Sequence, residues 1–309
     1  ASIFNKGHNA LAEVLRGEVD FLVSPYQYYR RTAGNPAVFQ FPEKSVTLNG
    51  KFVFLEDDSR TVFCRNLGEP FRETSLANSV GTLRRNFLLA FSHRSGLWYL
   101  DWGQNWFMGP LSAEIRKFTE LYQLQMNGTL SPGKAEVAVI IDEDLLNRMY
   151  SSKEAVYRTI LQQVADELGR CGAPFDTVLH SDLSRLPPYK FHVYPVSRDG
   201  GRTANAVHIP PGKRIGADEL RQMMLDAGVH IYNDQGNIVY AGENWVGIHL
   251  CRDGAATLNL PSGREQAREL FSGIRRKITG NRLIIEGEKG STQLWQLERA
   301  DQNPKVEKN

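Results

Sequence analysis

The feature that most constrains this chain is an alternation of short apolar runs with amphipathic stretches. In the first third, residues 19–23, 52–55 and 97–100 are apolar runs of strand length. Between the second and third runs, apolar residues recur at spacings of four, three and four, as expected for one face of a helix. These residues are Leu76, Val80, Leu83 and Phe87. The alternation predicts parallel strands joined by helices.

A second α/β unit is predicted after the turn-rich segment 127–134, which has the composition of a linker. Its strands are residues 137–141, 175–179 and 191–194, and its long helix carries an apolar stripe. The stripe consists of Val156, Ile160, Val164 and Leu168. Beyond about residue 233 the pattern changes to short strands separated by turns, which is typical of a small antiparallel sheet or sandwich.

Composition excludes several classes of protein. The 309 residues carry a formal net charge of only +2, too balanced for binding nucleic acid through the overall field. No apolar run is long enough to cross a bilayer, and the three cysteines form no Cys-x-x-Cys pair. The histidines show no metal-ligand spacing, and the chain has no nucleotide-binding glycine motif. We therefore expect a cytoplasmic protein without metal or cofactor and without nucleic-acid or membrane partners.

Three predicted strands of the first third end in residues suited to carbohydrate chemistry. They run into Ser24-Pro25-Tyr26, Glu56-Asp57-Asp58 and Asp101-Trp102. The carboxyl ends of parallel strands are where polar side chains meet ligands. Aromatic faces pack on sugars, and an ionised carboxylate can stabilise or attack an oxocarbenium-like centre. Three tryptophans cluster within nine positions of this region, although such clusters more often belong to a core. They are Trp98, Trp102 and Trp106.

The sequence resembles glycoside hydrolases related to the family 42 β-galactosidases. The matching segments of the first third are residues 20–26 (DFLVSPY), 45–51 (SVTLNGK), 56–61 (EDDSRT), 84–85 (RR) and 96–101 (GLWYLD). They are similar to the sixth to eighth strand regions of the (β/α)8 catalytic barrel in that family. Residues 210–212, 227–232 and 247–250 resemble the end of the flavodoxin-like domain that follows the barrel and builds the trimer, and the start of the C-terminal β domain.

The resemblance implies a fold and a domain organisation. The fold class is α/β: the last three βα units of a barrel, a shortened flavodoxin-like domain and a small antiparallel β domain. The expected boundaries are 1–126, 135–233 and 234–309.

The resemblance also implies the roles of individual residues. Glu56 matches the nucleophile of these retaining enzymes, and a carbohydrate substrate and a homo-oligomer, such as a trimer, are expected. The residues implied to line the sugar subsite are Tyr26, Arg60, Trp98, Trp102 and Trp106, with Asp101 near them.

The acid/base residue is the principal departure from the family pattern. In the family it lies in an Asn-Glu pair after the fourth barrel strand, and this sequence contains no Asn-Glu dipeptide. Asp57, Asp58 and Asp101 are the substitutes nearest to Glu56 along the chain or on the adjacent strand, and Asp58 and Asp101 are the candidates retained. Three alternatives stay open: a β-glycosidase completed by another subunit, a non-catalytic sugar-binding or oligomerisation remnant, and the C-terminal portion of a longer polypeptide.

Overall fold

The computed structural model describes residues 10–65, 70–148 and 159–299. Its first part is a three-stranded parallel sheet in the order β1-β2-β3, flanked by helices. The strands are β1 (Phe21–Pro25), β2 (Phe52–Asp57) and β3 (Gly96–Tyr99). The helices are α1 (Leu11–Arg16), α2 (Glu43–Leu48), α3 (Leu76–Ser92) and α4 (Pro110–Met126). The predicted alternation of strand and helix is confirmed in this part.

The two faces of the first sheet differ in their surroundings. Alternate residues of a strand point to opposite faces, and the pairing places Phe21, Phe52 and Glu56 on one face. The opposite face carries Val53 and Leu55, which are buried beneath the helices. On the first face Phe52 remains 70% exposed. Within the described residues this apolar face is therefore largely open to solvent.

The second part is a five-stranded sheet in the order β5-β4-β6-β8-β7, parallel except for β7. Its strands are β4 (Val137–Ile141), β5 (Phe175–Leu179), β6 (Phe191–Tyr194), β7 (Gly201–Thr203) and β8 (Ala206–His208). Its α-helices are α5 (Glu143–Arg148) and α6 (Ala217–Asp226). All five residues of β4 are buried, as expected for a central strand covered on both faces.

The third part is antiparallel and consists of a five-stranded sheet in the order β13-β12-β15-β10-β9 and the pair β11-β14. The strands are β9 (Ile238–Ala241), β10 (Trp245–His249), β11 (Gly254–Asn259), β12 (Gln266–Glu269), β13 (Arg275–Lys277), β14 (Arg282–Gly287) and β15 (Thr292–Glu298). Their inward side chains form one apolar core that includes Ile248, Leu258 and Trp295.

Local contacts define the start of two helices and the edge of one sheet. Ser75 caps α3, because its hydroxyl accepts a hydrogen bond from the Asn78 N–H at 3.0 Å. Asp218 does not cap α6: the cap residue is Gly216, and the Asp218 carboxylate instead accepts a hydrogen bond from Arg221. The charged run 275–277 forms β13, an exposed strand at the edge of its sheet.

Two helical segments lack the regular pattern of a long α-helix. The segment before β2 contains α2, whose six residues are too few for a clear periodicity. The predicted long helix of the second part is only partly described, because Val156 lies outside the described residues. In the described remainder, residues 159–161 are α-helical and are followed by a π-helix (Gln162–Glu167) and a 3₁₀-helix (Leu168–Arg170).

The fold is thus a mixed α/β structure with several sheets, and no closed barrel is formed by the described residues. The domain boundaries stay predictions. In the described ranges, no helix is both long and apolar enough to span a membrane.

The two faces of β2 lead to a matched pair of stability predictions. Leu55→Ala should lower the free energy of unfolding by about 2–5 kcal/mol, because it leaves a cavity beneath α3. Phe52→Ala, three residues earlier in β2 and on the open face, should change it by less than about 0.5 kcal/mol. Urea unfolding of both variants at low protein concentration measures this. Equal losses would show that the open face is covered in solution.

Candidate active site at the carboxyl edge of the first sheet

Glu56 is the second-to-last residue of β2 and lies on the open face of the first sheet. Its neighbours across the sheet are Pro25 on one side and Trp98 on the other. The side chain is half-buried. Burial and the nearby carboxylate of Asp58 raise the pKa of Glu56, whereas the charges of Arg31 and Arg60 oppose that rise. The carboxylate is therefore held at the sheet edge between one negative and two positive groups.

Asp58 is the centre of a buried ion-pair network beside Glu56. Its carboxylate pairs with Arg31 through one oxygen and accepts hydrogen bonds from Arg60 at 2.6 Å and from the Tyr28 hydroxyl at 2.8 Å through the other. Burial alone would raise the pKa of Asp58, but the hydrogen bond and charge of Arg31 outweigh it, and the pKa lies below its ordinary value. These contacts favour the ionised form, so they oppose the predicted role as proton donor.

Asp57 points to the opposite face and is completely buried. One oxygen accepts a hydrogen bond from the Ser59 N–H at 3.0 Å, and the other accepts one from the Asn86 amide at 2.9 Å. Burial raises the pKa of Asp57, and the hydrogen bonds from Ser59 and Asn86 oppose it. The carboxyl joins β2 to α3 and faces away from the open side of the sheet.

Tyr26 and Trp106 were implied to contact sugar, but the structure buries both side chains. The Tyr26 hydroxyl shares a hydrogen bond of 2.7 Å with Ser59, and the guanidinium of Arg31 lies 4.0 Å from the centre of its ring. Arg60 lies 5.3 Å from the ring centre of Trp106. Both aromatic rings therefore support the arginines of the network through cation–π contacts and present no free face to a ligand.

The remaining predicted residues follow β3. Trp98 and Trp102 are 40% and 68% exposed, so their rings can receive a ligand. Both oxygens of Asp101 accept backbone hydrogen bonds, from Gly103 at 2.8 Å and Asn105 at 3.1 Å. This is the arrangement of an Asx turn, which organises the loop that presents Trp102.

The edge thus brings together Glu56, Asp58, Arg60 and the exposed ring of Trp98, as the strand-end pattern indicated. It also includes Arg31, Tyr28 and Asn86, which sequence reasoning missed. The aromatic and basic run 26–31 directly after β1 could have suggested Tyr28 and Arg31. Asn86 lies inside α3, and the sequence carries no signal for its contact with Asp57.

Each substitute for the missing acid/base already has partners in the described structure. Asp57 is buried on the far face, Asp58 is ion-paired, and Asp101 holds a turn. A retaining glycosidase needs two carboxyl groups about 5–5.5 Å apart, one of them able to donate a proton. The described residues supply one suitably exposed carboxylate, Glu56, and the assignments of Asp58 and Asp101 stay predictions.

The ion-pair network leads to a pH-dependent stability prediction. Asp58→Asn should cost about 3–5 kcal/mol at pH 7, because it leaves buried Arg31 without its counter-charge. The pKa of Asp58 is lower in the folded state than in the unfolded state. The stabilisation that ionised Asp58 gives to the folded state is therefore complete above the unfolded pKa of about 3.9, and it is lost as the pH falls through the folded pKa. Denaturant unfolding from pH 7 to pH 2.5 should show the variant and the parent converging only below about pH 4. A constant difference would contradict this account.

Comparisons with known proteins give no family assignment from sequence. No protein-family model matches the chain. No curated protein matches it. Among solved structures, it is similar to the β-galactosidase of the psychrophilic Marinomonas ef1, with a TM-score of 0.46 and 11% identity over 81% of this chain and 54% of that one.

Two other solved structures show similar values. The β-galactosidase of the Antarctic haloarchaeon Halorubrum lacusprofundi has a TM-score of 0.43 and 12% identity, covering 89% of this chain and 63% of that one. The exo-carrageenase GH42 of Bacteroides ovatus has a TM-score of 0.45 and 12% identity, covering 88% of this chain and 46% of that one. The chain spans 46–63% of the lengths of these three proteins.

Proposed function

We propose that this chain belongs to a retaining β-glycosidase of the β-galactosidase type, with Glu56 as the nucleophile and a terminal β-linked sugar as the substrate. The observation that carries the proposal is the placement of Glu56. Of the acidic residues at the strand ends, it is the one whose carboxylate is half-exposed on the open face, beside the exposed ring of Trp98. The sequence resemblance assigns the nucleophile to the same residue.

The surroundings of Glu56 bear on its charge as a nucleophile. The attacking carboxylate must be ionised; burial and the charge of Asp58 raise its pKa, and the charges of Arg31 and Arg60 limit that rise. Asp58 positions both arginines through its two oxygens. The exposed rings of Trp98 and Trp102 supply flat apolar surfaces on which the face of a sugar ring can pack.

The proton donor is proposed to come from outside this edge, through self-association as a trimer or another homo-oligomer. The open face that carries Glu56 also carries Phe21, Val23 and Phe52, each more than 40% exposed. An apolar patch of this kind marks a surface that another protein segment covers. A covering subunit that brings a carboxyl group close to Glu56 would complete the pair that retention requires.

A second candidate is a non-catalytic sugar-binding or oligomerisation module. The engagement of Asp58 and Asp101 in other contacts favours it, because it leaves Glu56 without a proton-donating partner at this edge. Such a module would bind sugar through Trp98 and Trp102 and would leave the glycosidic bond intact.

The nucleophile is tested separately from the acid/base with an activated substrate. A 2-deoxy-2-fluoro galactoside bearing a dinitrophenyl leaving group needs no proton on departure, so Glu56 alone should form a covalent adduct with it. Intact-mass and peptide mass spectrometry of the purified chain should show one adduct, on Glu56. Glu56→Gln should abolish it, and Glu120→Gln, an exposed glutamate of α4, should not.

Hydrolysis of aryl β-galactosides and β-glucosides completes the test. Glu56→Gln should lower kcat/KM by at least about a thousandfold if the parent is active. Labelling without hydrolysis would support a nucleophile that lacks its acid. Saturable sugar binding with neither labelling nor turnover would overturn the glycosidase proposal in favour of the binding module.

The oligomer proposal has its own prediction. Phe52→Asp places a charge at the centre of the open apolar face and should shift the chain to a smaller species, because burying an unpaired charge is costly. Sedimentation velocity over a range of protein concentrations measures the shift, with Glu120→Gln as the control. A parent that stays monomeric at every concentration would exclude self-association as the source of the acid.

A further inference from the structure

A second cluster of ionisable groups lies where the first part of the fold meets the second sheet. It consists of Glu43 at the start of α2, His93 at the end of α3 and Asp176 in β5. One ligand atom from each residue lies within 4.8 Å of the other two. The His93 Nε2 is 3.5 Å from Glu43 Oε1 and 3.8 Å from Asp176 Oδ1. None of these residues belongs to the edge that carries Glu56.

The imidazole of His93 is oriented by its other nitrogen. Nδ1 lies 2.9 Å from the carbonyl oxygen of Leu89, which can only accept, so Nδ1 carries a proton and donates it. Ser92 Oγ lies 3.0 Å from the same nitrogen. A histidine that ligates a metal through one ring nitrogen usually donates the N–H of its other ring nitrogen to a backbone carbonyl or a carboxylate. The other ring nitrogen, Nε2, faces the carboxylates of Glu43 and Asp176.

Glu43 contributes a second, independent observation at this place. The residue is 98% buried, and Oε2 has no hydrogen-bond partner among the described residues, while Oε1 accepts the Thr177 N–H at 2.7 Å. A buried carboxylate with a free oxygen is costly unless a positive charge compensates it.

The spacing of the three groups is compatible with one shared ion. Nε2 is within hydrogen-bond reach of the Phe175 carbonyl oxygen, at 3.3 Å, whereas its distances to the two carboxylate oxygens exceed the usual 2.9–3.0 Å of an N–H···O bond. Ligands bonded to tetrahedral zinc at about 2.0–2.1 Å lie about 3.3 Å apart. An imidazole combined with carboxylates suits zinc, whereas magnesium and calcium prefer oxygen ligands alone.

The other groups facing the cluster leave room for such an ion. The Tyr189 hydroxyl donates to Asp176 Oδ2 at 2.9 Å, and the partly exposed Lys44 ammonium lies 3.6 Å from that same oxygen, so Oδ1 stays directed at His93. A cavity of about 60 Å³ borders all three residues, and it can hold a water molecule as a fourth ligand.

We propose that Glu43, His93 and Asp176 bind one zinc ion that fastens α2 and α3 to β5. The ion would replace repulsion between two carboxylates by shared coordination, and would thereby join the first sheet's helices to the second sheet. The role is structural and is independent of the proposed glycosidase activity.

The test uses the full chain with any affinity tag removed and with bound metal stripped by a chelator. Titration calorimetry with zinc chloride should show one ion per chain, and zinc should raise the Tm by several degrees relative to the chelated protein. Glu43→Gln and Asp176→Asn keep the hydrogen bonds from Thr177 and Tyr189. Each should weaken zinc binding by more than about 100-fold, since loss of outer-shell partners alone costs about 10–100-fold.

The control is His180→Gln, because His180 lies beside Asp142 and Asp144 in a separate acidic pocket that could bind zinc at the surface. It should leave the zinc affinity and the Tm shift unchanged.

Circular dichroism of each variant in chelator checks folding, and the absorption spectrum of the cobalt-loaded parent, with the intense visible bands of four-coordinate Co²⁺, gives a readout that needs no variant. Absence of zinc binding, binding that survives Glu43→Gln and Asp176→Asn, or binding lost in His180→Gln would overturn the proposal.

Discussion

The geometry of the candidate edge depends on one buried guanidinium, that of Arg85 in α3. It donates hydrogen bonds to the backbone carbonyls of Arg31 at 2.8 Å, Thr32 at 3.1 Å and Asn35 at 2.8 Å. The segment that follows β1 has no regular secondary structure to satisfy these carbonyls, and a guanidinium with five donors in a fixed plane can satisfy several at once. Arg85 thereby holds the backbone from which Arg31 reaches Asp58.

The same segment is supported from the third part of the fold by a directed chain of hydrogen bonds. The Gly34 N–H donates to His249 Nε2 at 2.8 Å, so the proton of the neutral ring lies on Nδ1, which faces Thr292 Oγ1 at 2.7 Å. The Thr292 hydroxyl in turn donates to the Gly81 carbonyl at 2.6 Å. Burial and the charge of Arg85 hold the pKa of His249 well below its usual value, which keeps the ring neutral. The antiparallel part thus positions a loop of the candidate site, although it supplies none of the proposed site residues.

Sequence reasoning could predict what depends on local pattern and could not predict what depends on distant contacts. The apolar runs identified β1 to β6, and the strand-end rule placed Glu56 and Asp58 at one edge. The partners of Asp58 lie on another element, and Glu43, His93 and Asp176 are separated by 50 and 83 residues. The exposure of the tryptophans is decided by the fold in the same way: Trp102 and Trp106 lie four positions apart, yet one ring is exposed and the other is buried.

The open face of the first sheet links the chemistry of Glu56 to the question of what covers it. Phe21 and Phe52 occupy the start of that face and Glu56 its end, so a segment that removes the phenylalanines from water also lowers the dielectric around the carboxylate. A segment that covers this face would strengthen the attraction between Glu56 and the two arginines, Arg31 and Arg60. It would equally strengthen the repulsion between Glu56 and Asp58, because a lower dielectric acts on all of these charge interactions. It would also exclude water from the sugar site, which strengthens each charge interaction there. A partner surface of the kind proposed would therefore act on the apolar face and on Glu56 together, since both lie on the same face of the sheet.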